Sequence, residues 1–94
     1  GDMLAKSTLL DIIYRPLASN SPELLETLAH YLETGRSLES TARELFVHPN
    51  TVRYRLKRIS EIIGWDATGP REAFVLQVAM VLGSMSEIEA RKRR

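Results

Sequence analysis

The stretch "VHPNTVRYRLKRI", residues 47–59, has residue types that can bind a polyanion. Four basic side chains, Arg53, Arg55, Lys57 and Arg58, fall within six consecutive positions that hold no acid. Lysine and arginine neutralise phosphates, and arginine or asparagine can also form two hydrogen bonds with the edge of a base. A basic run on a helix is more often only a solvated surface. The positions of these side chains in the fold must therefore decide between the two interpretations.

The apolar residues between these charges predict a helix with one buried face. They recur at spacings of four, three and four, and they are Val52, Leu56, Ile59 and Ile63. Pro49 suits the first position of this helix, with His48 as its cap, and Gly64 closes it. At about 100° per residue the opposite face holds Tyr54, Lys57, Arg58 and Glu61, with Thr51 and Arg55 on one flank and Arg53 on the other. One face is predicted to be core and the other cationic.

A shorter helix directly upstream completes a recognisable unit. Ser37 is its predicted N-cap, and Leu38, Ala42 and Leu45 form a narrow apolar stripe. Only residues 46–48 separate it from Pro49, so the two helices are expected to cross steeply. This is the pattern of a helix-turn-helix, whose second helix enters the major groove of DNA while the first crosses the backbone. The ring of Phe46 is expected to be buried beside Leu45 and Val52.

The second helix of this unit supplies the candidate contacts with DNA. The residues of its first turns and exposed flank are expected to contact base edges. They are Asn50, Thr51, Tyr54 and Arg55. Phosphates are expected to meet Arg53, Lys57 and Arg58. Three alternatives stay open: Asn50 can satisfy backbone donors in the first turn, His48 can act as an N-cap rather than touch DNA, and Tyr54 can stack on sugar and phosphate.

Three further helices are predicted, which makes the fold an all-α, compact five-helix bundle. The first includes Leu9 and Ile13 and is expected to stop at Pro16, and the second begins at Ser21 and ends at Gly35. The fifth opens at Pro70 and is apolar nearly all round over residues 73–82, so it is expected to brace the fourth helix and to form part of a dimer contact. The predicted organisation is an N-terminal helix and linker (1–20, in which Gly1 and Asp2 are interpreted as residues added by cloning), a helix-turn-helix domain (21–83) and a basic tail (84–94).

Charge and composition narrow the function. The formal net charge is only +1, but residues 36–64 carry six basic and three acidic groups while residues 1–35 carry two and five. This asymmetry is typical of a nucleic-acid-binding surface. The chain has no cysteine, no phosphate-binding glycine loop and no carboxylate pair set against a histidine, so an enzyme is not expected. No metal or cofactor is expected, and the apolar run at residues 73–83 is too short to span a membrane.

The segment "LLETLAHYLETGRSLESTARELFVHPNTVRYRLKRISEIIGWD" resembles the C-terminal helix-turn-helix of PucR-type bacterial transcription regulators, which are related to the sugar-diacid regulators and, more distantly, to the Fis-type DNA-binding domain. The resemblance extends over residues 21–82 and is most specific in "TARELFVHPNTVRYRL". It implies a DNA-binding output domain of a longer regulator whose N-terminal sensory region is absent from this chain. It places the turn at residues 46–48, with Phe46 where Fis-like turns usually have glycine. The residues that it places where Fis-like recognition helices touch DNA are His48, Asn50, Thr51, Tyr54 and Arg55.

The resulting expectation is sequence-specific binding of double-stranded DNA by a homodimer in the bacterial cytoplasm, associated with the nucleoid when DNA is bound. The basic residues at the C-terminus, "RKRR", either add nonspecific affinity for DNA or have no role. The alternative function is a protein-interaction module that docks through the apolar helix at residues 73–82. That function would replace DNA binding if the basic face of the fourth helix were covered.

Overall fold

Five helices and no strand form the part of the chain that the structure, a computed structural model, describes, which is residues 1–93. They are α1 (residues 2–20), α2 (Pro22–Glu33), α3 (Leu38–Leu45), α4 (Pro49–Ile63) and α5 (Pro70–Lys92). The radius of gyration is 13.3 Å, close to the value of about 12 Å for a compact domain of this length. The predicted all-α, five-helix bundle is confirmed.

Helix α1 passes through a proline that was expected to end it. It consists of an α-helical segment Asp2–Leu9, a π-helical segment Leu10–Tyr14 and a second α-helical segment Arg15–Asn20. Pro16 lacks an N–H, and its ring would collide with the carbonyl four residues earlier in a regular α-helix. That carbonyl belongs to the wider π segment, where the Arg15 N–H bonds to the Leu10 carbonyl, five residues back. The predicted stop at Pro16 is therefore wrong, and α1 ends at Asn20.

Helix α5 packs closely against α1 at a glycine. A Cβ atom added to Gly83 would lie 2.1 Å from a ring carbon of Tyr14, so only glycine allows this approach. The main neighbours of α5 are α1 and α2, and not the fourth helix that it was predicted to brace; α5 meets that helix only through the shared core. The part of α1 that lies against α5 precedes Pro16, whereas the part beyond Pro16 packs on α2 and α4. Ile13 and Leu17, one from each part, are fully buried in the core.

The common core fixes the orientation of α4. Its four predicted apolar residues, Val52, Leu56, Ile59 and Ile63, are all buried, which confirms the stripe. They pack in one cluster with Leu28 of α2 and Leu76 of α5. Because this face is fixed inward, the basic residues between them must point outward.

Helix α5 is the one described helix that is long and apolar enough to span a bilayer by length and composition. A helix packed in the core of a folded domain meets the same test, and Ala73, Leu76, Ala79 and Gly83 are buried within this fold. Most of the segment predicted as a basic tail, residues 84–94, continues α5 as far as Lys92, and Arg94 lies outside the described residues.

Candidate nucleic-acid interface

The turn between α3 and α4 is fixed by backbone hydrogen bonds. The Val47 N–H donates to the Ala42 carbonyl (3.0 Å) and the Phe46 N–H to the Arg43 carbonyl (3.3 Å), the two bonds of a Schellman motif. Phe46 adopts the left-handed conformation, with φ 58° and ψ 40°. The turn therefore ends α3 and starts α4 within three residues, as the sequence predicts.

The burial predicted for Phe46 is wrong, since 94% of its surface is exposed. The Schellman hydrogen bonds hold its backbone in the left-handed region, and this directs the ring away from Leu45 and Val52. Glycine is the usual residue at such a position because a side chain there costs roughly 1–2 kcal/mol. An exposed aromatic ring therefore projects from the turn of the helix-turn-helix.

The first turn of α4 is capped by a histidine. Nδ1 of His48 accepts a hydrogen bond from the Asn50 N–H (3.0 Å), and Pro49 follows at the first helical position. An accepting Nδ1 carries no proton, so the proton of the neutral ring is on Nε2. The structure therefore shows the capping role that was left open for His48, and leaves its exposed edge beside Asn50.

Most of the predicted contact residues share one exposed face of α4. Arg53 Nη1 donates to Asn50 Oδ1 (2.9 Å), which orders two exposed side chains of the first turns. Tyr54 is 67% exposed, and Arg58 lies 3.7 Å from Glu61 in an exposed pair of little energetic weight. We call this surface the basic face. Its members are Asn50, Arg53, Tyr54, Lys57 and Arg58, all of which are exposed.

Arg55 differs from these residues because its guanidinium is held by another helix. It is only partly exposed, and its Nη1 donates to Oγ1 of Thr27 on α2 (3.2 Å). Thr27 is completely buried, and its hydroxyl donates to the Glu23 carbonyl (2.8 Å). No local pattern predicts this contact, since Thr27 and Arg55 are 28 positions apart and Thr27 lies within an ordinary amphipathic helix.

An open cleft of about 660 Å³ lies between the start of α2 and the flank of α4 that carries Arg55. The start of α2 and the end of α1 contribute Asn20, Ser21, Pro22, Glu23 and Leu24, and α4 contributes Thr51, Tyr54, Arg55 and Arg58. A smaller cleft of about 390 Å³ lies on the other flank of α4, where Arg53 and Lys57 face Asp66 and Thr68. Hydrogen bonds from Thr68 lower the pKa of the Asp66 carboxyl, so this second cleft holds a negative charge.

The position of α3 relative to α2 is held by polar contacts. His30 Nδ1 lies 2.6 Å from Glu44 Oε1, joining α2 to α3. Thr41, which is completely buried, donates to the Ser37 carbonyl (2.7 Å), and its hydroxyl is 3.2 Å from that of Thr34. These contacts fix the first helix of the helix-turn-helix on the helix before it.

Comparison with known proteins places this geometry in a family. Residues 24–82 match the PucR C-terminal helix-turn-helix domain. An uncharacterized protein of Mycobacterium tuberculosis is 52% identical over 86 residues, which cover 92% of this chain and 21% of that protein. The purine catabolism regulatory protein of Bacillus subtilis is 42% identical over 57 residues, covering 61% of this chain and 11% of that protein.

A solved structure is similar as well. The crystal structure of a regulator of polyketide synthase expression from Bifidobacterium adolescentis is similar with a TM-score of 0.86 and 49% identity. The match covers 92% of this chain and 36% of that one. The Bacillus subtilis and Bifidobacterium adolescentis proteins are both named as regulators, and the matches cover about a fifth of the length of the mycobacterial protein and about a tenth of that of the Bacillus protein.

Proposed function

Because this chain belongs to the family of PucR C-terminal helix-turn-helix domains, we propose that it binds double-stranded DNA sequence-specifically, as the output domain of a bacterial transcription regulator. One observation carries the proposal most directly: α4 buries all four of its core-facing apolar residues and leaves the basic face free. A helix of this kind fits the major groove, which is about 12 Å wide. Its basic side chains then meet the phosphates on either side.

The N-terminal turns of α4 enter the groove first in this arrangement. Asn50, Thr51 and Tyr54 then meet base edges or the adjoining sugars, and His48 stands beside them at the cap. Arg53, Lys57 and Arg58 contact phosphates, which position the domain without reading sequence. The hydrogen bond between Arg53 and Asn50 orders both side chains before DNA arrives.

The rest of the regulator is proposed to lie outside this chain. A sensory region N-terminal to this domain is consistent with a relative more than four times its length. DNA binding and regulation imply a cytoplasmic protein that joins the nucleoid when DNA is bound.

A homodimer is proposed through α5. Five large apolar residues of this helix are exposed at spacings of four, three, four and three, and we call them the apolar stripe: Phe74, Val78, Val81, Met85 and Ile88. This is the heptad spacing of a helix that pairs with another helix. A second copy of α5 would cover the stripe by twofold symmetry, and a dimer matches two half-sites about one helical turn apart.

The same stripe favours a second candidate function, which is docking of a different protein through α5. The two functions are compatible as long as the basic face stays free. Docking alone would become the better proposal if the domain bound no duplex.

A salt titration tests the DNA-binding proposal. Three phosphates per protomer, neutralised by Arg53, Lys57 and Arg58, predict a slope of log K against log[salt] of about −2.7, from about −0.9 for each contact. Selection from a pool of random duplexes should in addition enrich one sequence class. A salt-independent affinity, or a pool without enrichment, would contradict electrostatic or sequence-specific binding respectively.

A further inference from the structure

We propose that the cleft between the start of α2 and α4 holds one backbone phosphate of the DNA, and that Thr27 positions Arg55 for this contact. The proposal rests on the DNA binding proposed above and assigns a defined ligand group to one flank of the interface. It also changes the role of Arg55 from the base contact expected from the sequence to a phosphate contact.

The first support is the convergence of donors in the cleft. Arg55 and Arg58 lie one turn apart on α4 and both line it, together with the exposed Tyr54. The opposite wall is the beginning of α2, where Ser21 and Asn20 line the cleft. Arginine binds phosphate oxygens through two parallel N–H groups, so two arginines in one cleft suit a single phosphate.

The second support is the way in which Arg55 is held. The Thr27 hydroxyl donates its only proton to the Glu23 carbonyl, which leaves a lone pair to accept from Arg55 Nη1. Thr27 is fully buried, so this acceptor does not move. The guanidinium is anchored at one nitrogen and keeps its other N–H groups for an anion. Holding the side chain in advance reduces the entropy that binding would otherwise remove.

The third support is the direction in which the Arg55 side chain points. The anchor draws the Arg55 guanidinium back toward α2, away from the part of α4 that first enters the groove. A helix in the major groove has a phosphate strand along each flank, and the cleft lies along one of them. An arginine held at this flank meets that strand before it reaches a base edge.

Glu23 opposes the proposed ligand and provides an independent prediction. Its carboxylate belongs to an exposed side chain that also lines the cleft. A phosphate bound there would be repelled by it, so Glu23→Gln should tighten binding of a duplex by roughly twofold or more at low salt. Glu26→Gln on the same helix, whose residue does not line the cleft, is the control and should have a smaller effect.

The direct test replaces single phosphates of the selected duplex by neutral methylphosphonates, one linkage at a time. Wild-type protein should lose roughly tenfold in affinity at the linkage that enters the cleft, as expected for hydrogen bonds to a charged group. Arg55→Ala should lose much less affinity at that linkage, because only Arg58 then remains to contact the phosphate, whereas Arg53→Ala, on the other flank, should keep the full loss. Arg55→Ala should also lower the salt slope, by at most about 0.9 because Arg58 stays beside the same phosphate, and should weaken selected and random duplexes equally.

Thr27 is tested by two variants and a double-mutant cycle. Thr27→Val keeps the shape and removes the hydroxyl, and it should weaken duplex binding by roughly threefold, less than the loss of Arg55 itself. Thr27→Ser retains the hydroxyl and should bind as the wild type does. Thr27→Val should have no further effect in a protein that already carries Arg55→Ala. If Thr27→Val lowers the helix content, its DNA affinity no longer reports on the hydroxyl. The role of Thr27 is then decided by the methylphosphonate result and by the duplex affinity of Thr27→Ser.

The outcomes separate this proposal from DNA binding as such. If Arg55→Ala weakens only the selected duplex and leaves the salt slope unchanged, Arg55 reads a base and the phosphate proposal is overturned while DNA binding stands. If every methylphosphonate linkage affects Arg55→Ala as it affects the wild type, the cleft holds no phosphate. If the wild type binds no duplex, both proposals fail.

Discussion

The basic face of α4 and the apolar stripe of α5 are both exposed helix surfaces, but they differ in what lies behind them. Behind the basic face, α4 buries large side chains, among them Leu56 and Ile59. Behind the apolar stripe, α5 buries Leu76 but otherwise small residues, Ala73, Ala79 and Gly83, and it leaves the five large residues of the stripe exposed. Small residues let α5 approach α1 closely, and the large side chains of the stripe stay exposed.

The comparison shows two ways in which one small domain can present a binding surface. Charged side chains are well solvated when free, so the basic face needs no cover. A contiguous apolar surface on a folded protein usually marks an interaction site. We therefore expect changes behind α5 to affect folding most, changes on the stripe to affect assembly, and changes on the basic face to affect DNA affinity.

Gly83→Ala should produce the largest effect. The added methyl would lie 2.1 Å from the Tyr14 ring, so α1 and α5 must separate, and the free energy of unfolding should fall by roughly 3 kcal/mol. Urea denaturation measures it. Ser84→Ala, at the exposed neighbouring position, is the control and should change stability little. A Gly83→Ala protein as stable as the wild type would show that the contact between α1 and α5 is loose.

The same contact predicts a loss of stability at high pH. Burial, and then the neighbouring Glu87 carboxylate, raises the pKa of Tyr14 from 10.0 to about 12. The fold favours the neutral phenol, so its contribution is complete below pH 10 and is lost as the pH rises through about 12, up to about 2 kcal/mol. Urea denaturation at pH 8 to 12 should show a shallower decline for Tyr14→Phe. Parallel declines in the two proteins would mean that other groups cause the loss.

Val81→Glu should break the proposed dimer without unfolding the domain. It places a charge in the middle of the apolar stripe, where 56% of the Val81 surface is exposed, and the dimer dissociation constant should rise by roughly tenfold or more. Sedimentation equilibrium measures this constant. Ala90→Glu adds the same charge to α5 on the side away from the stripe and should leave it unchanged. A wild-type domain that stays monomeric at high concentration would remove the dimer.

Lys57→Ala should weaken DNA binding by only a few fold at moderate salt, because it removes one of several phosphate contacts. Selected and random duplexes should lose affinity equally, and the salt slope should fall by about 0.9. Fluorescence anisotropy measures both. Lys6→Ala on α1 removes a charge far from α4 in the sequence and serves as the control. A loss confined to the selected duplex would make Lys57 a base contact.

Phe46→Gly should have the smallest effect on folding, and it should be stabilising. Glycine relieves the left-handed strain at this turn, and the greater freedom of the unfolded chain offsets part of the gain, which leaves about 0.5 kcal/mol. Thermal denaturation detects it. Since the ring is 94% exposed, little packing is lost. Destabilisation would show that the ring contributes contacts to the native turn.

Local signals in the sequence predicted the helix boundaries and the direction of α4. Pro22, Pro49 and Pro70 each stand at the start of a helix, and Gly35 and Gly64 adopt the positive φ expected after a helix end. These features depend on residues within one or two turns of each other, so the residue types and their spacing along the sequence are enough to predict them. The resemblance of the helix-turn-helix segment to its family was confirmed for the same reason, because the turn and its apolar supports are contiguous.

Contacts between distant segments were not predictable in this way. The packing of Gly83 on Tyr14 depends on which helices meet. The continuation of α1 through Pro16 and the outward ring of Phe46 have local backbone causes, a π-helical segment and a left-handed turn, that the apolar pattern does not show. The sequence by itself determined that α4 has a basic face and a buried face. Only the tertiary structure decided that Arg55 is held by Thr27, because that hydrogen bond joins helices whose relative position is set by the whole core and not by any local pattern.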